Sequence, residues 1–190
     1  VQAGAGCGKS FMARQYVNEL KPKSGIYTAF NKAIVEEGVN RFAGTPIECK
    51  TFHALAYRYV KPDLPIENFT YKSITERLTY TEKRRIIDSL DEFFVSASTC
   101  MDEYFEAKFE GHPRAKFMAD IATKYVQGMA DGDVNPTFNF MLKCLHLMLI
   151  EKTVVIELDI IILDEINDVT AVFLEIFRLI DAPKKVGLGE

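Results

Sequence analysis

Eight residues near the start of the chain, Ala3-Gly4-Ala5-Gly6-Cys7-Gly8-Lys9-Ser10, have the composition and spacing of a phosphate-binding loop, the Walker A pattern. Small side chains let consecutive backbone N–H groups turn toward one centre and make a nest for a β-phosphate at a helix N-terminus. Lys9 adds a mobile positive charge for the β- and γ-phosphates, and the Ser10 hydroxyl can ligate Mg²⁺. Ala3 stands where the shortest form of the pattern has its first glycine. Taken without context, such a run could be a glycine-rich turn that merely precedes a lysine.

A second group of reactive residues lies far along the chain. Ile160 to Leu163 run directly into Asp164-Glu165, which is how a buried strand delivers two carboxylates to its C-terminal edge. Asp164 would hold the Mg²⁺ shell through water, and Glu165 would orient and deprotonate an attacking water. With Lys9 they make a catalytic set for hydrolysis of a nucleoside triphosphate. The plainer reading of a lone Asp-Glu is a helix cap beside a surface acid. Guanine recognition would need Asn-Lys-x-Asp, but Asn31-Lys32 is followed by Ala33-Ile34, so the expected cofactors are ATP and Mg²⁺.

These residues need strands and helices to hold them. Phe11, Ala13, Tyr16, Val17 and Leu20 recur at helical spacing after Ser10, and Ile26 to Phe30 is a short run of β-formers. A helix is expected over about 32–42, a strand over 47–51 and a helix over 52–60. The alternation predicts a parallel α/β sheet. It then breaks for almost a hundred residues, where helical faces are marked by Ile86-Leu90-Phe93, by Phe117-Ile121-Tyr125 and by Met141-Leu145-Leu149. Pro136 is expected at the first position of the last of these helices. The β signal returns over 158–163, followed by a helix over 169–180 and a strand over 185–188. The expected domains are therefore 1–60 with 154–190 as a nucleotide-binding unit, and 61–153 as an all-helical insertion.

With 190 residues, 48% of them hydrophobic, the chain can bury a core of this size. A net charge of -4 gives no global pull toward nucleic acid, so any such contact must be local. Cys7, Cys49, Cys100 and Cys144 form no CxxC pair and read as reduced thiols in the cytoplasm, or in the nucleus of a eukaryote. Apolar runs are much shorter than the roughly 20 residues of a membrane span, and no targeting segment is visible. Val1 is not methionine and the loop has no strand before it, which reads as a piece of something longer.

Four ordered stretches resemble motifs I, Ia, Ib and II of UvrD/Rep-type superfamily 1 DNA helicases: Ala3 to Ser10, Thr28 to Ala33, Lys50 to Tyr57, and Leu163 to Asp168. The wording of Phe30-Asn31-Lys32 and of Cys49-Lys50-Thr51-Phe52-His53 is similar to the F-box DNA helicase group, although no F-box is present. The resemblance implies a RecA-like ATP-binding domain with a helical insertion. It also implies ATP hydrolysis coupled to 3′-to-5′ movement on single-stranded DNA, in repair or recombination. It makes Phe30 a base-stacking residue and Asn31, Lys32, Thr51 and His53 further contacts to the strand. On their own, Phe30 would read as a core aromatic at a strand end and His53 as a packed residue at a helix start.

Two departures matter. Ile166-Asn167 stand where the family has Ala-Gln, and the shorter asparagine weakens the expected coupling between ATP and DNA. Gly189-Glu190 resembles the start of motif III but stops before its glutamine. The partners implied are single-stranded DNA and a second RecA-like domain of the same polypeptide, in a monomer. The competing reading from another class is a non-motor ATP switch that binds a protein through the helical insertion.

Overall fold

The computed structural model describes residues 8–189, and for Lys9 and Ser10 the backbone alone. Ala3, Gly4, Ala5, Gly6 and Cys7 of the phosphate loop, and Glu190, lie outside the described residues.

Gly8 adopts a left-handed turn (φ 75°) that only glycine enters without strain, and the first helix, α1 (Lys9–Leu20), starts directly after it. The chain continues through β1 (Gly25–Ala29), α2 (Lys32–Arg41), β2 (Ile47–Thr51) and α3 (Phe52–Val60). Four helices follow: α4 (Tyr80–Val95), α5 (Met101–Phe109), α6 (Ala115–Asp131) and α7 (Phe138–Ile150). The chain then returns through β3 (Ile160–Asp164), a 3-10 turn (Ile166–Asp168), α8 (Ala171–Leu179) and β4 (Lys184–Leu188).

Among the described residues the four strands form one sheet in the order β2-β1-β3-β4, parallel at every pairing. Successive side chains of a strand face opposite sides, and the two faces are covered by different helices. Tyr27, Ile160 and Ile162 pack with Ala13 and Val17 of α1 and with Phe42 at the end of α2. Ile26, Ile161 and Leu163 pack with α3, α7 and α8 through Phe52, Leu142, Leu145 and Phe173. Both sides of the central strands are thus buried, which is why Ile160 to Leu163 are continuously apolar.

Helices α4 to α6 have a core of their own, built on Ile86, Phe93, Phe94, Phe105, Phe109 and Met118. Burying each such side chain contributes roughly 1.5–3 kcal/mol. Helix α7 joins this core to the sheet, with Phe140 packed into it and Met141, Leu142 and Leu145 packed toward the sheet. Lys143 on α7 is 1% exposed. Its ammonium donates to the carbonyls of Ser96 (2.7 Å) and Ser98 (2.8 Å) and lies 4.7 Å from the centre of the Phe93 ring. It therefore ties α7 to the segment after α4.

Two local expectations differ from the structure. Pro136 does not open α7, because Thr137 caps that helix by accepting from the Phe140 amide at 3.1 Å, which leaves the proline outside. Helix α5 was not among the helical faces expected from the sequence, yet Phe105 and Phe109 are fully buried. No helix among the described residues is long and apolar enough to cross a membrane.

Candidate functional site

The strand register lines up the residues that matter along one edge of the sheet. Ala29 is level with Thr51, and Thr28 with Leu163. One step further on, Asp164 on β3 is level with Leu188 on β4. The carboxylate of Asp164, the Phe30-Asn31-Lys32 junction after β1 and the Thr51-Phe52-His53 junction after β2 all emerge at this C-terminal edge. Open parallel sheets bind their ligands at that edge.

Asp164 is held on several sides. Its Oδ2 accepts a short hydrogen bond from the Tyr27 hydroxyl, which itself accepts from Arg41 Nη1 at 3.1 Å. The same guanidinium lies 3.7 Å from Asp164 Oδ2, and Asp164 Oδ1 accepts from the Glu165 amide at 3.0 Å. Burial, together with the hydrogen bond to Asp164 and its charge, pushes the Tyr27 phenol far above its ordinary value, while Arg41 works against this. Tyr27 therefore remains a donor, and Asp164 remains the acceptor.

The position of Tyr27 depends on a glycine. A Cβ added to Gly38 on α2 would stand 2.4 Å from the ring Cε1 and 2.6 Å from Cδ1. On an ordinary exposed helix, Gly→Ala stabilises by about 1 kcal/mol. Here the methyl meets a buried ring, and overpacking of this kind costs roughly 1–3 kcal/mol. Gly38→Ala is thus expected to lower stability in urea melts and to displace the Tyr27 hydroxyl from Asp164. Equal or higher stability would show that the contact yields freely.

Glu165 is exposed and has φ 53° and ψ 48°, a left-handed conformation that a residue with a Cβ seldom adopts. The turn after it is fixed by Asp168 N donating to Glu165 O at 3.0 Å. The isoleucine of this turn fits because β4 offers glycines beneath it. A Cβ at Gly187 or Gly189 would come within 2.7 Å of Ile166 side-chain carbons.

Among the residues expected to contact a strand of DNA, Phe30 is 52% exposed and meets Phe173 edge-on at 5.9 Å. The Asn31 side chain is occupied as the cap of α2, accepting from Ala33 N at 2.8 Å. Thr51 caps α3 in the same way, accepting from Ala54 N at 3.1 Å. Lys32 pairs with Glu36 at 3.5 Å and stays exposed. His53 is half-buried, standing edge-on to Phe173 (5.8 Å) and Phe138 (5.9 Å), with Nε2 3.3 Å from Asn139 Oδ1. Burial lowers the His53 pKa and the Asn139 contact opposes the shift, so the ring is neutral at pH 7.

Sequence reasoning missed Tyr27, Arg41, Phe138 and Asn139. A tyrosine inside a fully buried strand was the one available signal, because its hydroxyl must find a partner.

These residues fit a hydrated cation. Asp164 has both oxygens engaged, in a half-buried position that suits contact through water better than a dehydrated ligand set. No three His, Cys, Asp or Glu side chains gather into a metal cage among the described residues. No protein-family model and no curated protein matches the chain, so a functional reading has to stand on this edge and on the loop that leads into α1.

Proposed function

We propose that the chain is the ATP-binding part of a UvrD/Rep-type DNA helicase or translocase. In this reading 1–60 and 154–190 make a RecA-like domain, interrupted by a helical insertion over 61–153, and single-stranded DNA runs along the sheet edge. The observation that carries it is the register. The acidic end of β3 and the Phe30 and Thr51 junctions share one edge of the sheet, on one face of which packs α1, the helix that Lys9 and Ser10 open.

The roles follow from chemistry. Lys9 and the loop amides would bind the phosphates, and Ser10 and Asp164 would hold Mg²⁺, which would supply positive charge to offset the phosphates. Tyr27 and Arg41 fix the Asp164 carboxylate, and Glu165 accepts the proton of the attacking water. A motor of this design works by two RecA-like domains closing on ATP, and an arginine from the second domain supplies roughly 10³ to 10⁵ in rate.

Steady-state ATPase with and without single-stranded DNA tests the proposal, on this chain alone and joined to a second RecA-like domain. DNA-stimulated turnover in the two-domain protein supports it. ATP binding with no response to DNA, together with a protein partner held through 61–153, would favour a non-motor switch. Lys9→Ala is expected to weaken binding of a fluorescent ATP analogue by at least about tenfold, since a charged contact to phosphate is lost. Unchanged affinity would remove Lys9 from the site.

A further inference from the structure

Phe138 belongs to none of the four motif-like stretches, yet it stands at the same edge. It is the first residue of α7 and is 55% exposed, although α7 is otherwise deeply packed. Its ring meets His53 at 5.9 Å and 87°. His53 meets Phe173 at 5.8 Å and 85°, and Phe173 meets Phe30 at 5.9 Å and 77°. The rings at the two ends of this series, Phe30 and Phe138, are half exposed, while Phe173 between them is 1% exposed. Two exposed aromatic rings on separate elements are thus braced through His53 and the buried Phe173. Asn139, next to Phe138, holds His53 at 3.3 Å, which fixes the middle of the series.

An exposed phenylalanine at a helix start costs solvation and does nothing for the core. A pair of them, each backed edge-on by another ring, makes two platforms against which flat groups can lie. The surroundings say what those groups are. At the edge the Asn31 and Thr51 side chains are given to helix caps and the Asp91 carboxylate is bonded to Asn139, while the exposed Lys32 ammonium lies 3.5 Å from Glu36. Every nucleobase offers a π-face, and unpaired bases have it free, whereas bases in a duplex are already stacked on each other.

We infer that Phe138 is a second base-stacking platform, so that a single strand of DNA is held at two points, on Phe30 and on Phe138, with His53 between them. This rests on the reading of the sheet edge as a DNA track. It extends that track from the sheet onto α7.

The test is anisotropy of a fluorescein-labelled oligothymidine titrated with the chain. Phe138→Ala is expected to weaken binding by about 5- to 100-fold, as Phe30→Ala does, the range that loss of one stacked base gives. Phe138→Trp should restore the affinity and Phe138→Leu should not, since leucine keeps an apolar surface but no ring. The dependence on salt should be the same in wild type and variants, because no phosphate contact is removed. Circular dichroism of each variant checks the fold, which an exposed side chain should leave intact. If Phe30→Ala weakens binding but Phe138→Ala does not, or if Phe138→Leu binds like wild type, the inference falls and the DNA track stands. If wild type binds no single strand, both fall.

Discussion

Replacing Glu165 by glutamine is expected to lower ATP turnover by about 10²- to 10⁴-fold, the share that a positioned general base supplies, while ATP affinity changes by less than about threefold, roughly 0.6 kcal/mol. Glutamine keeps the shape of glutamate and can orient a water, but it cannot take the proton. The backbone fixes where this residue stands. A non-glycine residue at φ 53° costs of order 1–3 kcal/mol and persists only where its surroundings over-determine it. Here the constraints are the Asp164 Oδ1 contact to the Glu165 amide, the Asp168 amide on the Glu165 carbonyl, and Ile166 packed over Gly187 and Gly189. Turnover and nucleotide affinity would be measured with single-stranded DNA present, in a protein carrying both RecA-like domains. Turnover near that of wild type would move the base elsewhere.

The second large effect concerns Lys143. Burial pushes its ammonium down to about 8, against about 10.4 for a lysine in an unfolded chain. Between those values the unfolded state binds more protons than the folded one, so stability rises with pH across that window. Below pH 8 the whole cost of the buried charge is present, and above about pH 10.4 it is gone. The gain is at most about 3 kcal/mol, because the two carbonyls and the Phe93 face favour the charged form. His146, one turn further along α7, faces Lys143, and its own pKa is lowered by burial and by that charge. It titrates below the window and adds nothing there. Denaturant melts of wild type and Lys143→Met at pH 7, 8, 9 and 10 would show wild type gaining stability relative to the variant as pH rises. Parallel curves would mean that the ammonium is solvated.

Most of the sheet was legible because its strands are short β-forming runs bounded by Gly, Pro and Lys, and because β3 is unbroken Ile and Leu before two acids. Helix α5 was passed over although Met101, Tyr104, Phe105 and Phe109 fall at helical spacing, because it is only nine residues long and Asp102, Glu103 and Glu106 break up its apolar run. The place of Pro136 went wrong because the Thr137 hydroxyl offered a better cap than the proline's fixed φ could. At the site, each motif residue could be named, but its neighbours could not. Tyr27 meets Asp164 across 137 residues, and His53 meets Asn139 across 86. Pairings of that kind are set by sheet order and by how α7 lies on the sheet, neither of which leaves a local pattern.

The separate core of α4 to α6 has a kinetic consequence. The central pairing of β1 with β3 closes a very long loop, with the Ser24 amide meeting the Asp159 carboxylate 135 residues away. Closing such a loop from a disordered chain is slow, and the entropy cost grows with its length. Most of the intervening residues, however, make near-neighbour helical contacts around Phe93, Phe105 and Met118, and these can collapse first. Once they have done so, the ends of the loop are carried by a compact body, and α7 presents the surface against which β3 can find β1. The expected order of assembly is then helices before sheet, with the edge that carries Asp164, Phe30 and His53 completed last.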